Sequence, residues 1–260
     1  MTTPLSPSAR DLVADADLAA RLAEAAGKVL VEVRDSQEWH PAELGKAGDA
    51  AANELLCRAI AAERPDDGLL SEEHPCDGTR LRRSRVWIVD PVDGTREYGE
   101  ARDDWAVHVA LCIDGAPVVG AVALPDTGLV LRSDAPPALG PLNRPPRMVV
   151  SRTRPAPEAV AVADAIGAEL VPMGSAGAKA MAVVRGIADL YLHSGGQHEW
   201  DSAAPVAVAL AAGLYCARLD GTPLLYNCAD TYVHDLLICR RELVPSVTAA
   251  LARGVANAGL

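Results

Sequence analysis

The run from Trp87 to Tyr98 constrains this chain most, because it leads an apolar strand directly into two aspartates. It reads Trp-Ile-Val-Asp-Pro-Val-Asp-Gly-Thr-Arg-Glu-Tyr. The strand delivers Asp90 to its C-terminal end, and Pro91 prevents it from continuing as a regular ladder. A turn follows at Asp93, and a helix can begin at Thr95. The run predicts two carboxylates, three residues apart, at the end of a buried strand.

These two carboxylates can converge on one point. Backbone N–H groups of Gly94 and Thr95 would face the same point, where the start of a helix favours an anion. Carboxylates and anion-binding amides are compatible if a hard divalent cation lies between them. Magnesium prefers oxygen ligands and is commonly held by carboxylates plus a substrate phosphate. The run therefore predicts a magnesium site, with a surface turn and helix N-cap as the alternative.

Two further acidic segments lie far from this run. Ser71-Glu72-Glu73-His74 follows a short strand, and taken alone it indicates solvated acids in a loop. Glu199-Trp200-Asp201 precedes an alanine-rich helix, and taken alone Asp201 is an acid that faces the positive end of the helix dipole. Neither segment predicts a site by itself.

Composition limits the partners of the chain. It has 260 residues, 50% of them hydrophobic, which is enough for one or two packed units. The net charge of −11 disfavours a nucleic acid duplex or an anionic membrane as a partner. A small anionic substrate remains compatible, because a bound cation can invert the sign of a pocket. The longest apolar stretch, Ala203–Leu214, is too short to span a bilayer.

The cysteines and the N-terminal segment indicate the cellular compartment of the protein. None of the six cysteines forms a CxxC pair, so no zinc site is indicated. Reduced, space-filling thiols are the simplest interpretation, and they fit a cytoplasmic protein. Met1–Leu12 contains no apolar segment of the secretory type. The six cysteines are Cys57, Cys76, Cys112, Cys216, Cys228 and Cys239.

The pattern of elements predicts two halves, residues 1–142 and 143–260, divided in the proline-rich stretch 135–146. The first half is α+β and the second alternates as α/β, which favours helices on a partly parallel sheet. Helices are predicted over Leu12–Val33, Asp49–Glu63, Glu158–Ile166, Ala176–Arg185, Ser202–Ala212 and Pro245–Leu251. Strands are predicted over Gly68–Ser71, Val86–Val89, Trp105–Ile113, Val118–Leu124, Leu129–Arg132, Met148–Ser151, Glu169–Pro172, Ala188–Leu192 and Asp235–Arg240.

Together the motifs resemble the inositol monophosphatase superfamily of metal-dependent, lithium-sensitive phosphatases. The order matches over most of the chain: Glu72-Glu73, then Asp90-Pro-Val-Asp-Gly-Thr95, then Trp200-Asp-Ser-Ala-Ala204 with Ala212-Gly213. The resemblance implies an α/β fold of layered αβαβα type, as in inositol monophosphatase and fructose bisphosphatase. It also implies two or three Mg²⁺ ions, a small phosphate ester as substrate, and a homodimer.

The resemblance also implies roles for individual residues. The metal ligands would be the side chains of Glu72, Asp90, Asp93 and Asp201 and the backbone carbonyl of Val92. Thr95 would activate water together with an upstream aspartate, which corresponds to Asp49 at the start of the second predicted helix. The chain departs from the family here, because Lys46-Ala47-Gly48 replaces the usual segment with a threonine. A plain N-cap role for Asp49 is therefore the alternative.

Within the superfamily, further motifs resemble the CysQ-like branch, which hydrolyses 3'-phosphoadenosine 5'-phosphate to AMP. They are Gly94-Thr-Arg-Glu-Tyr98, Val150-Ser-Arg152, Gly174-Ser-Ala-Gly-Ala-Lys179 and Gly221-Thr-Pro-Leu-Leu-Tyr-Asn227. Lys179 could meet the 5'-phosphate as a point charge, with an exposed helix lysine as the alternative. Arg96 and Arg152 are weaker candidates, and His198 is assigned no role. The implied substrate-binding set is Glu72, Val92, Asp93, Gly94, Thr95, Gly174, Ser175, Lys179 and Asp201.

The motifs are also compatible with two other functions. The same site would serve an inositol monophosphatase or a fructose-1,6-bisphosphatase, because the metals grip the phosphate and not the rest of the molecule. A non-catalytic sensor of a cation or phosphometabolite is the hypothesis from another class.

Overall fold

The computed structural model describes residues 9–74 and 78–258. Over these described residues it has seven α-helices. Six of them match the predicted ranges in order and differ mainly at their ends, and the short third helix begins at Thr95, where the sequence allowed a helix to start. They are α1 Ala9–Asp35, α2 Pro41–Glu63, α3 Thr95–Gly99, α4 Pro157–Ile166, α5 Ala176–Val184, α6 Glu199–Ala211 and α7 Val244–Ala258.

Within residues 9–74 and 78–258, ten strands form two sheets. The strands are β1 Gly68–Ser71, β2 Arg85–Asp93, β3 Ala106–Ile113, β4 Ala116–Leu124, β5 Leu129–Arg132, β6 Arg147–Ser151, β7 Glu169–Met173, β8 Leu190–His198, β9 Tyr215–Ala217 and β10 Tyr232–Cys239. The first sheet has the order β1-β2-β3-β4-β5, and the second has the order β7-β6-β8-β10-β9. The three-residue strand β9 is absent from the sequence prediction, since it is too short to show an alternating pattern.

The second sheet is partly parallel, as predicted. Strand β6 runs parallel to both β7 and β8, whereas β10 runs antiparallel to β8 and β9. In the first sheet only β1 and β2 are parallel, and the hairpin from β3 to β4 turns at Asp114-Gly115 as expected.

The helices form three layers around the two sheets. Helices α1 and α2 pack on one face of the first sheet, α5 and α6 lie between the sheets, and α4 and α7 cover the second sheet. Each helical layer buries an apolar face against a sheet, which is how such layered domains are stabilised. This arrangement confirms the predicted αβαβα fold.

The alternation of side chains along β2 and β3 determines which residues face the functional site. Trp87 and Val89 of β2 face the α1/α2 layer, whereas Val86 and Ile88 face the middle layer. Because side chains alternate along a strand, Asp90 continues the row that faces the middle layer. On β3 that row is Ala106, His108, Ala110 and Cys112. Asp90 and His108 are register partners, so these two polar residues lie opposite each other.

Two expectations about local structure are wrong. The second strand does not stop at Asp90 but continues through Pro91 to Asp93, with an irregular register between the two aspartates. A proline is tolerated there because the irregularity removes the ladder hydrogen bond that its missing N–H would have made.

Asp49 does not lie at the start of the second helix either. Helix α2 begins eight residues earlier, with Pro41 in its first turn, so Asp49 is an interior helical residue and the N-cap alternative is wrong. Gly45 and Gly48 lie inside the helix, where their lack of a side chain allows close packing. A Cβ at Gly45 would lie 2.5 Å from Thr95 Cγ2, and one at Gly48 would lie 2.8 Å from Tyr98 Cε1.

The first sheet uses residues up to Arg132, and the second sheet begins at Arg147. A single apolar cluster is nevertheless built from both, for example from Ile88 and Val122 together with Met181 and Leu236. The division at residue 142 stays a prediction.

The cysteines of the described residues are all free thiols, and Cys76 lies outside the described residues. No helix in the described ranges has the length and apolarity that crossing a bilayer requires.

Candidate metal centre

Three predicted ligands come together where the first sheet meets the middle layer. Carboxylate oxygens of Asp90, Asp93 and Asp201 lie within 4.8 Å of one another. Asp90 and Asp93 come from the end of β2, and Asp201 comes from the first turn of α6, more than 100 residues later. Among the described residues this is the cluster whose donor atoms are close enough for one cation.

Asp93 is the most firmly held member of the cluster. Its carboxylate accepts hydrogen bonds from the Ser175 hydroxyl, from the Ala176 amide at 3.0 Å and from the Gly177 amide. These donors form the start of α5, so the positive end of that helix faces the carboxylate. Asp93, from the first sheet, is thereby fixed to a helix of the second half.

Asp201 is oriented by its own helix. The backbone N–H of His198, which precedes α6, donates to Asp201 Oδ2 at 2.6 Å. This is the reciprocal half of a capping box, in which a side chain in the first turn satisfies the N-cap amide. The bond leaves Oδ1 of Asp201 available to a ligand. The His198 ring stacks on Trp200, with centroids 4.7 Å apart.

Glu72 lies in the loop after β1. Strand β1 runs parallel to β2, so both strands end at the same edge of the sheet. Burial, and then the charges of Glu73 and Asp93, raises the pKa of the Glu72 carboxyl group. A cation in the same place would offset these negative charges and favour the ionised carboxylate. Glu72 stands outside the tight trio of aspartates.

The electrostatics of the trio and Glu72 favour a cation. Burial, followed by the charges of Asp93 and Glu72, raises the pKa of Asp90 well above its usual value. Burial and the charge of Asp93 raise the pKa of Asp201 to about 7. Burial opposes ionisation of Asp93 as well, but His108, Ser175 and the Gly177 amide hold its pKa at about 2. Buried like charges of this density need a compensating positive charge, so the donor set fits a divalent cation with oxygen ligands.

The predicted pair of Asp49 and Thr95 is also assembled. Thr95 Oγ1 lies 3.4 Å from Asp49 Oδ2 and 3.1 Å from the carbonyl oxygen of Val92. The other carboxylate oxygen, Asp49 Oδ1, is buried and has no hydrogen-bond partner. Burial, and then the charges of Glu73 and Glu72, raises the pKa of Asp49 to about 8. Asp49, Thr95 and Val92 therefore lie beside the trio, as the resemblance implied, and their catalytic and ligand roles stay predictions.

The segment from Gly174 to Lys179 lines the site from the second half. Gly94, at φ 89°, approaches it so closely that a Cβ would lie 3.1 Å from Ser175 Cβ. The Gly174 amide donates to Asp104 Oδ2 at 2.6 Å. Gly94 and Gly174 therefore lie at the junction of the two halves, and contact of either with substrate stays a prediction.

Lys179 is a buried helix lysine. It is 5% exposed, and its ammonium group donates to the carbonyl oxygens of Gly174 and Ser175. Burial lowers its pKa. The alternative of a solvated lysine is therefore wrong, and contact with a 5'-phosphate stays a prediction.

The two weaker arginine candidates are engaged in ion pairs at the junction. Arg152 Nε bonds Glu97 and its Nη2 bonds Glu100, both at 2.7 Å, which ties β6 to α3. Arg96 bonds Glu100 at 2.8 Å. The buried Glu97 lies against Gly174, where a Cβ would be 2.3 Å from Glu97 Cγ.

Sequence reasoning missed His108. Its ring is fully buried, with Nε2 at 3.2 Å from Asp93 Oδ2 and Nδ1 at 4.0 Å from Asp90 Oδ2. The available signal was a single imidazole in an otherwise apolar strand. Its position opposite Asp90 depends on the register of β2 and β3, which the sequence does not specify.

Comparisons with known proteins agree with this geometry. The model of the inositol monophosphatase family matches residues 8–135 and 147–253. A 3'-phosphoadenosine 5'-phosphate phosphatase of Mycobacterium bovis is 50% identical over 240 residues, covering 87% of this chain and 89% of the relative. The 3'(2'),5'-bisphosphate nucleotidase CysQ of Escherichia coli K12 is 30% identical over 201 residues, covering 72% of this chain and 81% of the relative.

The solved structures agree as well. The crystal structure of CysQ from Bacteroides thetaiotaomicron, a bacterial member of the inositol monophosphatase family, superposes with a TM-score of 0.76. It is 25% identical and covers 88% of this chain and 97% of its own. The family model spans the β2 run, the α6 motif and the helices that support them. The chain therefore belongs to the inositol monophosphatase family.

Proposed function

We propose that this chain is a Mg²⁺-dependent phosphatase that hydrolyses 3'-phosphoadenosine 5'-phosphate to AMP and phosphate. The convergence of Asp90, Asp93 and Asp201 on one point carries the proposal, because acids from distant segments of a chain have no structural reason to be buried together. The choice of substrate is supported by relatives of that name at 50% identity over nearly the whole chain.

In this proposal Glu72, Asp90, Asp93, Asp201 and the Val92 carbonyl hold the ions, two or three in number. Bound Mg²⁺ would offset the charge of the ester phosphate and of the oxygens that attack and leave.

The side chains beside the trio orient the attacking water. Thr95 lies between Asp49 and the Val92 carbonyl, so its hydroxyl can donate to one and accept from a water. The proton of that water moves through Thr95 to Asp49, whose second oxygen, Oδ1, is buried and has no hydrogen-bond partner. The water oxygen bonds to phosphorus as the ester bond to the 3'-oxygen breaks, and the 3'-oxygen takes up a proton from solvent water.

A phosphate-release panel tests this function. We expect turnover of the bisphosphonucleotide to exceed that of inositol 1-phosphate and fructose 1,6-bisphosphate, and to vanish on chelation of Mg²⁺. Comparable or faster turnover of either competitor would identify the alternative phosphatase, and no turnover of any ester would favour the phosphometabolite sensor.

Asp93→Asn tests the site itself. The Asn side chain carries no negative charge to bind a cation, and its NH2 group would face the three hydrogen-bond donors of Ser175, Ala176 and Gly177. We therefore expect kcat/KM to fall by at least about 100-fold. Asp164→Asn, the same substitution on the exposed face of α4, is the control. Undiminished turnover of Asp93→Asn in saturating Mg²⁺ contradicts the proposed site. Lithium inhibition, a homodimer and a cytoplasmic location stay predictions.

A further inference from the structure

His108 lies where the two halves of the candidate metal centre meet. Its Nδ1 is 2.9 Å from the carbonyl oxygen of Trp200, the residue before Asp201, and its Nε2 is 3.2 Å from Asp93 Oδ2. A carbonyl oxygen can only accept, so Nδ1 donates to it. The rigid ring thus contacts Asp93, a predicted ligand from the first sheet, and the backbone of Trp200, which precedes the predicted ligand Asp201 in α6.

The surroundings are built to hold this ring. Its neighbours along the same face of β3, Ala106 and Ala110, are small and fully buried. Gly177 closes the remaining side, because a Cβ there would lie 2.0 Å from His108 Nε2 and 3.0 Å from two ring carbons. Any larger residue at position 177 would displace the imidazole or the start of α5.

Gly177 and His108 also share a ligand. The Gly177 amide donates to the same oxygen, Asp93 Oδ2, that His108 Nε2 faces. The ring and the start of α5 therefore confine Asp93 from two sides, while the bond to Trp200 fixes the ring to α6.

We propose that His108 is a positioning residue of the metal centre: its imidazole sets the placement of Asp93 relative to Asp201, and Gly177 is the residue whose missing side chain admits the ring. This inference rests on the metal-dependent function proposed above. Groups that orient metal ligands in this way change metal affinity by about 10- to 100-fold when they are removed.

A pair of amide substitutions separates the two nitrogens of the ring. Asn places a polar atom near the position of Nδ1, and Gln extends one to the position of Nε2. We expect His108→Asn to keep the contact with Trp200 but to weaken Mn²⁺ binding, measured by calorimetry, by about 10-fold or more. We expect His108→Gln to recover most of that affinity, because it reaches Asp93.

Gly177→Ala tests the same idea from the opposite side. It leaves His108 and the 177 amide in the chain but removes the space for the ring, so we expect a loss of Mn²⁺ affinity similar to that of His108→Asn. His193→Asn is the control for a buried histidine, since its Nε2 contacts the carbonyl of Gly195 and no member of the trio. We expect it to leave Mn²⁺ affinity unchanged.

The metal requirement of catalysis gives a second measurement. The Mg²⁺ concentration for half-maximal phosphate release should rise in His108→Asn by the same factor as the Mn²⁺ dissociation constant, whereas kcat at saturating Mg²⁺ should fall by less than about tenfold. Mn²⁺ affinities of His108→Asn and His108→Gln within twofold of the parent, or equally reduced in both, overturn the proposal. A parent protein that binds Mn²⁺ but hydrolyses no phosphate ester refutes the proposed function instead, and the affinities still decide the role of His108.

Discussion

Removal of the divalent cation should make the stability of this protein fall as pH rises, and Asp49 allows the size of the effect to be worked out. Asp49 is 6% exposed, and burial beside Glu73 and Glu72 raises its pKa from 3.8 to about 8. Between these two values the unfolded chain has lost the proton that the folded chain retains. The unfolded state therefore gains relative stability as pH rises through this window.

The magnitude follows from the displacement of the pKa. A rise from 3.8 to about 8 corresponds, at about 1.4 kcal/mol for each pKa unit, to a ceiling of about 6 kcal/mol at pH 9. Glu72 and Glu73 supply part of this through their own charges, and water can enter the metal-free site. We therefore expect about 3 kcal/mol, or a loss of roughly 10 °C in Tm for a chain of this size.

The assay is thermal unfolding in EDTA at several pH values between 5 and 9, repeated with saturating Mg²⁺. In EDTA the Tm of the parent should fall steadily across this range, while Mg²⁺ should reduce the slope because the cation compensates the ionised carboxylates. Asp49→Asn removes the titrating group, so at pH 9 in EDTA it should unfold at a higher temperature than the parent. Glu24→Gln, on the exposed face of α1, is the control. A Tm in EDTA that is flat across this range, together with an Asp49→Asn variant no more stable than the parent, would refute the reasoning.

Two further substitutions test the packing around the site. Gly45→Ala should stabilise helix α2 by about 1 kcal/mol through its higher helix propensity. It should nevertheless lower kcat by at least about tenfold, because the new Cβ would lie 2.5 Å from Thr95 Cγ2 and displace the Thr95 hydroxyl. Phosphate release by Gly45→Ala equal to that of the parent contradicts this account of Thr95. Lys179→Ala should raise KM for the bisphosphonucleotide more than for inositol 1-phosphate if the lysine meets the second phosphate. Equal effects on both substrates indicate instead that the bonds to Gly174 and Ser175 hold the loop.

The order of helices and strands could be predicted from the sequence, because periodicity and the turn residues are local signals. The αβαβα layering and the ligand set came instead from the resemblance to a family, since spacing alone does not bring Glu72 or Asp201 to Asp90. The misplaced start of α2 shows the limit of local reasoning. Gly45 and Gly48 look like helix breakers along the chain, yet they are contact points for Thr95 and Tyr98.

The sequence by itself determined that Asp90 and Asp93 stand at the end of a buried strand, because an apolar run followed by Asp-Pro-Val-Asp-Gly-Thr allows few other local structures. Only the tertiary structure decided what faces them. The register of β3 places His108 opposite Asp90, and the start of α5 turns three donors toward Asp93. Burial of Lys179 beneath its own loop was decided in the same way. Strand pattern depends on neighbours along the chain, whereas register and helix placement depend on how the two sheets pack around the middle layer.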